Sequence, residues 1–170
     1  MWLAPPAAPL EPVAGGPVTW RRAPVTLDVV RPTAAGLREQ VIRYDPAHAA
    51  TESQRALDVA WRDWALRHID EPGDGTWTGS VTCLRWGDVT VVAMPGEPFA
   101  AQAGAVRNLL GDPGAIVIGY TNGCPGYIPT ADEYPLGGYE VDDAYHYYNM
   151  PGPFAPDSAG RLLRAVQLCT

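Results

Sequence analysis

The segment at residues 89–120 constrains the fold of this chain more than any other. It begins with an apolar strand at 89–94 and a Pro-Gly-Glu turn, continues with a helix at 99–110, and ends with a second apolar strand at 115–120. A strand, a helix and a strand in this order are typical of a βαβ unit, whose two strands are parallel. Strands that are apolar on both faces lie in the centre of a sheet. The segment therefore predicts an α/β fold.

The other periodic segments add strands and helices to this unit. They predict strands at residues 25–30 and 77–86, and helices at 34–43, 51–69 and 157–168. The resulting fold class is α/β, with a mixed or parallel sheet flanked by helices. Residues 1–23, which are rich in Pro, Ala and Gly, predict an arm or linker, and residues 24–170 form the folded part.

Composition excludes several classes of protein. Hydrophobic residues make up 46% of the 170, which is enough for a packed core. The net charge is -7 and the twelve basic residues, all Arg, are scattered, so we expect no nucleic-acid partner. The sequence shows no signal peptide and no transmembrane segment. Three cysteines without CxxC spacing argue against a disulfide scaffold and a cysteine zinc knuckle, although one oxidised pair stays open.

Polar side chains follow both strands of the βαβ unit. Glu97 follows the first strand, and Asn122, Cys124 and Tyr127 follow the second. The carboxyl ends of neighbouring parallel strands lie at one edge of a sheet, where α/β proteins bind ligands. The sequence therefore predicts a site at this edge.

Each candidate also has a purely structural interpretation. Glu97, followed by Pro98, suits the start of a helix, where an acid favours the helix dipole. Tyr127 is one of eight tyrosines, most of which we expect to pack. His48, His68 and His146 lack the spacing of metal ligands, and only His146, close to several tyrosines, is a candidate for lining the site.

An ordered set of motifs resembles the neutral/alkaline, non-lysosomal ceramidase family. It comprises Pro95-Gly96-Glu97, Asn122, Tyr127-Ile128-Pro129-Thr130, Glu133-Tyr134 and Tyr139-Glu140. The resemblance covers about residues 77–168. It implies a zinc amidase that hydrolyses the N-acyl bond of ceramide-type lipids to a sphingoid base and a fatty acid.

The resemblance also assigns residues to roles. It implies that Glu97 and Tyr127 are zinc ligands and that Tyr139 contacts the reacting amide or its oxyanion. Asn122, Cys124 and His146 are the candidates for substrate contacts. The family's remaining ligands are two histidines upstream, and residues 1–76 contain no matching motif. A stable catalytic zinc usually has three protein ligands, so we expect this chain alone to bind zinc weakly and to be inactive.

Several explanations of the missing histidines arise from this resemblance. The one we favour is an incomplete half of a larger catalytic domain, through truncation or a misassigned start. A split enzyme with its N-terminal half on another chain, a homo-oligomer and a degenerate relative stay open. The contrasting function is a non-catalytic fragment or binding module that uses the Tyr/Trp-rich loop at 134–154. The resemblance implies a secreted or extracytoplasmic location and leaves a cytoplasmic one open.

Overall fold

The computed structural model describes residues 12–71 and 75–170. These residues form six strands, namely β1 (Val18–Val29), β2 (Gly75–Trp86), β3 (Val89–Ala93), β4 (Glu97–Pro98), β5 (Ile116–Ile118) and β6 (Tyr127–Ile128). The same described residues form four α-helices, namely α1 (Ala34–Arg43), α2 (Glu52–His68), α3 (Ala100–Leu110) and α4 (Ser158–Cys169). Single turns of 3₁₀-helix lie at Pro46–His48 and Ala144–His146, and a π-helical turn lies at Tyr139–Asp143.

The main sheet has four strands in the order β1-β2-β3-β5. The β1–β2 and β2–β3 pairs are antiparallel, whereas β3 and β5 are parallel, with Val91 opposite Ile116. The sheet is therefore mixed, and helices flank it. The prediction of an α/β fold with a βαβ unit is confirmed.

Strand β1 begins earlier than the sequence pattern indicates. The pattern predicts a strand from residue 25, but the ladder with β2 starts at Val18, opposite Trp86. Residues 18–22 are exposed on both faces, so they show no alternation, and backbone pairing alone reveals the strand. The folded part thus extends into the predicted arm at 1–23. Residues 1–11 of that arm, like the predicted turn residues 72–74, lie outside the described residues, and the division into two segments otherwise stays a prediction.

The main core lies between one face of the sheet and helices α3 and α4. Leu27 of β1, Val81 of β2, Val92 of β3, Val106 of α3 and Leu162 of α4 are completely buried there. Each such side chain contributes roughly 1.5–3 kcal/mol by leaving water. This core holds β3 and β5 in place and thereby positions the turns that come after them.

A second, smaller core joins α1 and α2 to the segment after residue 139. It contains Leu37, Trp64, Ala65 and Tyr145. The Trp64 indole donates a hydrogen bond of 3.0 Å to the carbonyl of Met150. Helix α1 starts at the predicted residue and α2 starts one residue after it, because Thr33 and Thr51 cap the helices by accepting hydrogen bonds from the backbone of their first turns.

The opposite face of the main sheet carries exposed apolar side chains. These are Trp20, Trp86, Ile116 and Ile118. No helix in the described parts of the chain is long and apolar enough to cross a lipid bilayer.

Candidate active site

A short parallel strand pair brings the two predicted ligand residues together. Glu97 of β4 is directly opposite Tyr127 of β6. The Glu97 N–H donates to the carbonyl of Gly126 at 2.9 Å, and the Gly96 N–H donates to that of Gly123 at 2.9 Å. The backbone therefore fixes the Pro-Gly-Glu turn against the loop that comes after β5.

Gly96 is required for this close approach. Its φ of +64° lies in the left-handed region, and an added Cβ would lie 2.6 Å from the carbonyl oxygen of Gly126. Any side chain there would push the two strands apart. Glycine is therefore needed at this position of the turn for Glu97 to lie opposite Tyr127.

Two tyrosines that the sequence does not single out hold the Glu97 carboxylate. The hydroxyl of Tyr120 donates to Oε2, and that of Tyr148 donates to Oε1. The hydrogen bond with Glu97 raises the pKa of Tyr120 to about 12, and burial adds to the rise. The same hydrogen bond, with burial as the next cause, raises the pKa of Tyr148 above its ordinary value. Both phenols are therefore neutral hydrogen-bond donors to Glu97 at neutral pH.

The backbone of Tyr120 is in an uncommon conformation. Its φ is +57°, a region that bulky residues rarely adopt. The Tyr120 N–H donates to the carbonyl of Gly96 at 2.8 Å, which holds the residue beside the turn. Strained backbone of this kind clusters at functional sites, and here it aims the phenol at Glu97.

Tyr148 reaches Glu97 by packing on a glycine. Gly126 has a φ of +110°, and an added Cβ would lie 2.9 Å from the ring of Tyr148. The glycine just before β6 therefore makes room for the ring whose hydroxyl binds the carboxylate. No sequence pattern reveals this contact, because Tyr148 lies in a region without periodicity.

Tyr127 and Tyr139 lie side by side at the same site. Their ring centroids are 5.9 Å apart. Burial raises the pKa of Tyr127, and a hydrogen bond with Glu97 raises it further. Burial also raises the pKa of Tyr139, with a further contribution from Tyr147. The structure thus brings together Glu97, Tyr127 and Tyr139, the three residues whose roles the resemblance implies.

Glu97 and Tyr127 open onto a cleft of about 500 Å³. Its polar walls come from Glu97, Tyr120, Tyr127 and Glu140. Its apolar walls come from residues in or next to β3, β4, β5 and the start of α3, namely Met94, Pro98, Phe99, Ala100, Ala103 and Val117. The cleft therefore offers two carboxylates and two phenols beside an apolar surface.

Asn122 and Cys124 lie on the exposed loop between β5 and β6 and do not line the cleft. Asn122 has a φ of +61°, and its side-chain amide donates to the Thr82 hydroxyl at 3.4 Å. Cys124 is exposed two residues further along the same loop. Both residues are at the rim of the site rather than inside it.

His146 is placed in the second core and not in the cleft. Its ring stacks on Trp61 and Tyr145, with centroids 4.9 and 4.2 Å away. Nδ1 donates to the Asp143 carbonyl oxygen at 2.7 Å, and Nε2 is 3.2 Å from the side-chain amide of Gln40. Both ring nitrogens therefore have partners, and the expectation that His146 lines the site is corrected: the aromatic residues around it form a core.

The buried position of His146 predicts a pH-dependent stability. Burial lowers its pKa, so the folded state keeps the ring neutral, whereas the unfolded chain takes up a proton near pH ~6.5. The unfolded state then binds more protons, and the free energy of unfolding falls as the pH decreases below that value. Urea unfolding between about pH 7 and about pH 5 measures this slope. His146→Gln should flatten it and His48→Gln, at an exposed position, should not; equal slopes in the parent and His146→Gln would contradict the prediction.

The donors at the cleft match part of a zinc site. A carboxylate and a phenol are oxygen ligands that zinc accepts. In residues 12–71 and 75–170, however, no three His, Cys, Asp or Glu side chains are grouped closely enough to hold a metal ion. None of the three histidines lines the cleft. Glu97 and Tyr127 would therefore supply two ligands, and the described residues do not complete the set.

Comparison with known proteins gives a distant similarity only. No family model matches the chain, and no curated protein matches it. A solved neutral ceramidase from Pseudomonas aeruginosa is similar at 18% identity and a TM-score of 0.37, covering 54% of this chain and 14% of that one. A ceramidase complexed with C2 is similar at 19% identity and a TM-score of 0.41, covering 52% of this chain and 14% of that one. The chain thus spans about a seventh of the length of these structures.

Proposed function

We propose that this chain contributes a carboxylate and a phenol ligand to a zinc-dependent amidase site of the neutral-ceramidase type. The observation that carries the proposal is the parallel pairing of Glu97 with Tyr127. It places side by side the two residues that match the family's ligand motifs, at the edge of the sheet where α/β proteins bind ligands. The reaction would be hydrolysis of the N-acyl bond of a ceramide-type lipid.

Zinc and the tyrosines around Glu97 have separate roles in this proposal. Bound zinc would polarise the amide carbonyl and supply a hydroxide nucleophile at neutral pH. The hydroxyl of Tyr139 donates a hydrogen bond to the oxyanion that develops on the carbonyl oxygen. Tyr120 and Tyr148 fix the orientation of the Glu97 carboxylate, as outer partners of metal ligands commonly do.

The surroundings of these residues suit a lipid amide. The apolar wall formed by Met94, Phe99 and Val117 receives the hydrocarbon part of the substrate. Asn122 and Cys124, exposed on the loop beside the cleft, contact the polar part that extends outward. His146 has no role in the site. An extracytoplasmic location belongs to the same proposal, and fractionation of cells that express the protein tests it.

The imidazole ligands would come from residues that this sequence does not contain. They belong to an N-terminal segment or to another chain that completes the catalytic domain. Without them the chain binds zinc weakly and does not hydrolyse amides, because two protein ligands are too few for a stable catalytic zinc.

A second candidate is a binding module in which Glu97 has a structural role. The observation that favours it is that both carboxylate oxygens already accept hydrogen bonds from tyrosines. Such a network stabilises the loop without any metal. In this case the exposed rings of Tyr139 and Tyr147 contact a sugar or a protein partner. Zinc binding separates the two candidates.

Zinc titration of this chain, monitored by the ultraviolet absorption of tyrosine, tests the amidase proposal. A phenol that binds a metal loses its proton, so zinc should produce the difference spectrum of one ionised tyrosine. We expect weak binding, since the surroundings of Tyr127 raise its pKa and zinc has to overcome this.

Two tyrosine variants make the titration specific. Tyr127→Phe should lose the signal. Tyr134→Phe is the matched control, because the Tyr134 hydroxyl donates to the carbonyl of Phe154 and not to Glu97. A zinc titration without a tyrosinate signal would contradict the ligand role of Tyr127 and favour the binding module.

A further inference from the structure

Cys83 and Cys169 face each other between β2 and α4, on the core side of the main sheet. Both are buried, and the Cys169 thiol neighbours the Cys83 thiol closely enough to add to the rise in its pKa. Each thiol also reaches the backbone of the other's element. Sγ of Cys83 is 3.9 Å from the carbonyl oxygen of Val166, and Sγ of Cys169 is 3.4 Å from that of Val81.

The two elements that carry these cysteines keep them in register. Val81 and Cys83 are two residues apart and lie on the same face of β2, whereas Val166 and Cys169 are one turn apart on α4. The reciprocal contacts therefore fix the helix against the strand with the two thiols between them. A disulfide needs two side chains that point toward each other from backbones at a suitable separation. Each thiol here reaches the backbone of the element that carries the other, so the two side chains meet the first of these conditions.

A cavity of about 520 Å³ leads to the pair from the end of the sheet. Both cysteines line it, together with Arg21 and Arg85. Arg21 is directly opposite Cys83 in the β1–β2 register, and Arg85 lies two residues after Cys83 on the same face of the strand. In the described parts of the chain, neither guanidinium forms an ion pair with a carboxylate. The entrance thus carries two positive charges that attract a small anion.

We propose that Cys83 and Cys169 are an oxidation site that closes to a disulfide by exchange with a small anionic disulfide such as oxidised glutathione. The thiolate of one cysteine attacks a sulfur of the reagent and releases one glutathione thiolate. The second cysteine then attacks the mixed disulfide and releases the other. The protein loses two protons and two electrons, and one glutathione disulfide is reduced to two thiols. The new bond joins α4 covalently to the centre of the sheet.

The environment of Cys83 sets the conditions of the reaction. Burial raises the pKa of its thiol to about 12, and the neighbouring Cys169 thiol adds to the rise. The thiolate is the reactive form, so exchange is slow at neutral pH and calls for excess reagent in mildly alkaline buffer. Cys124, which is exposed on the loop beside the cleft, is a competing thiol in the same chain.

The test is incubation of the folded chain with oxidised glutathione and subsequent peptide mapping with mass spectrometry. The Cys83–Cys169 pair should dominate over the two pairs that involve Cys124. In urea the preference should reverse, since the pairs with Cys124 close shorter loops at a lower entropic cost. Oxidation should also raise Tm by roughly 10 °C, because the disulfide closes a long loop.

Three serine variants complete the experiment. Cys124→Ser should keep the rise in Tm on oxidation, whereas Cys83→Ser and Cys169→Ser should each lose it. If either of these two fails to fold, peptide mapping of the parent chain still decides the question. Separate glutathione adducts on Cys83 and Cys169, or the same distribution of pairs in buffer and in urea, would overturn the proposal.

Discussion

Glu97→Gln is expected to weaken zinc binding by at least about 100-fold, because loss of a charged ligand exceeds the 10–100-fold cost of removing an outer partner of a metal site. Glutamine keeps the size of the side chain but loses the negative charge that attracts the cation. It also replaces one acceptor oxygen by an amide nitrogen, so it cannot accept hydrogen bonds from both Tyr120 and Tyr148. Competition with a coloured chelator measures zinc affinity in the parent chain and in the variant.

Two further variants test whether the effect on zinc affinity is specific to the Glu97 carboxylate. Glu39→Gln, on the exposed side of α1, removes the same charge far from the cleft and should leave zinc affinity unchanged. Tyr139→Phe should also keep zinc binding. In an assembly that contains the complete ligand set, it should slow amide hydrolysis by about 10²–10³-fold, the usual effect of removing one oxyanion donor. Equal zinc affinity in Glu97→Gln and the parent would remove Glu97 from the ligand set.

The second large effect is expected in the smaller core, where Trp64→Ala should lower the free energy of unfolding by about 3–5 kcal/mol. Trp64 is 1% exposed, and its ring packs against His68, Tyr145 and His146. The variant leaves a cavity between α1 and α2 and the segment after residue 139, and it deprives the Met150 carbonyl of its donor. Urea unfolding monitored by circular dichroism measures the change.

Leu66→Ala is the matched control for Trp64→Ala, because Leu66 is exposed on the same helix. A surface substitution of this kind usually changes stability by less than about 0.5 kcal/mol. Trp64→Phe should fall between the two, since it keeps an aromatic ring but loses the indole N–H. A Trp64→Ala variant as stable as Leu66→Ala would show that α1 and α2 do not share a cooperative core with the rest of the chain.

The sequence predicts the main elements of the fold because their patterns are local. The helix predicted at residues 51–69 has an apolar stripe, and the structure has Glu52–His68. The order of strands and helix at 89–120 predicts the parallel pair β3–β5. The start of β1 could not be predicted in the same way, because residues 18–22 owe their strand to backbone pairing with residues 82–86, far along the chain.

Some residues of the candidate site could be predicted from the order of strands and helices, and others could not. Glu97 and Tyr127 come after strands of the sheet, so their place at one edge could be expected from topology. Tyr120 and Tyr148 could not be nominated, because their contacts depend on a positive φ and on packing against Gly126. The prediction that His146 lines the cleft is wrong, since its ring packs against Trp61 and Tyr145 beside the smaller core, whereas Tyr148, two residues later, reaches Glu97. Residues at the end of a strand can be placed from topology, whereas the path of an irregular segment depends on packing that no local pattern records.

The left-handed conformation of Tyr120 has a consequence for engineering. Glycine would adopt this backbone without strain, so replacing Tyr120 by glycine would relieve a cost on the order of 1 kcal/mol. The same change would delete the hydroxyl that orients Glu97. Relief of the backbone strain and order at the site therefore oppose each other at position 120. Stabilised versions of this chain should be sought in α1, α2 and the sheet, with position 120 kept as tyrosine.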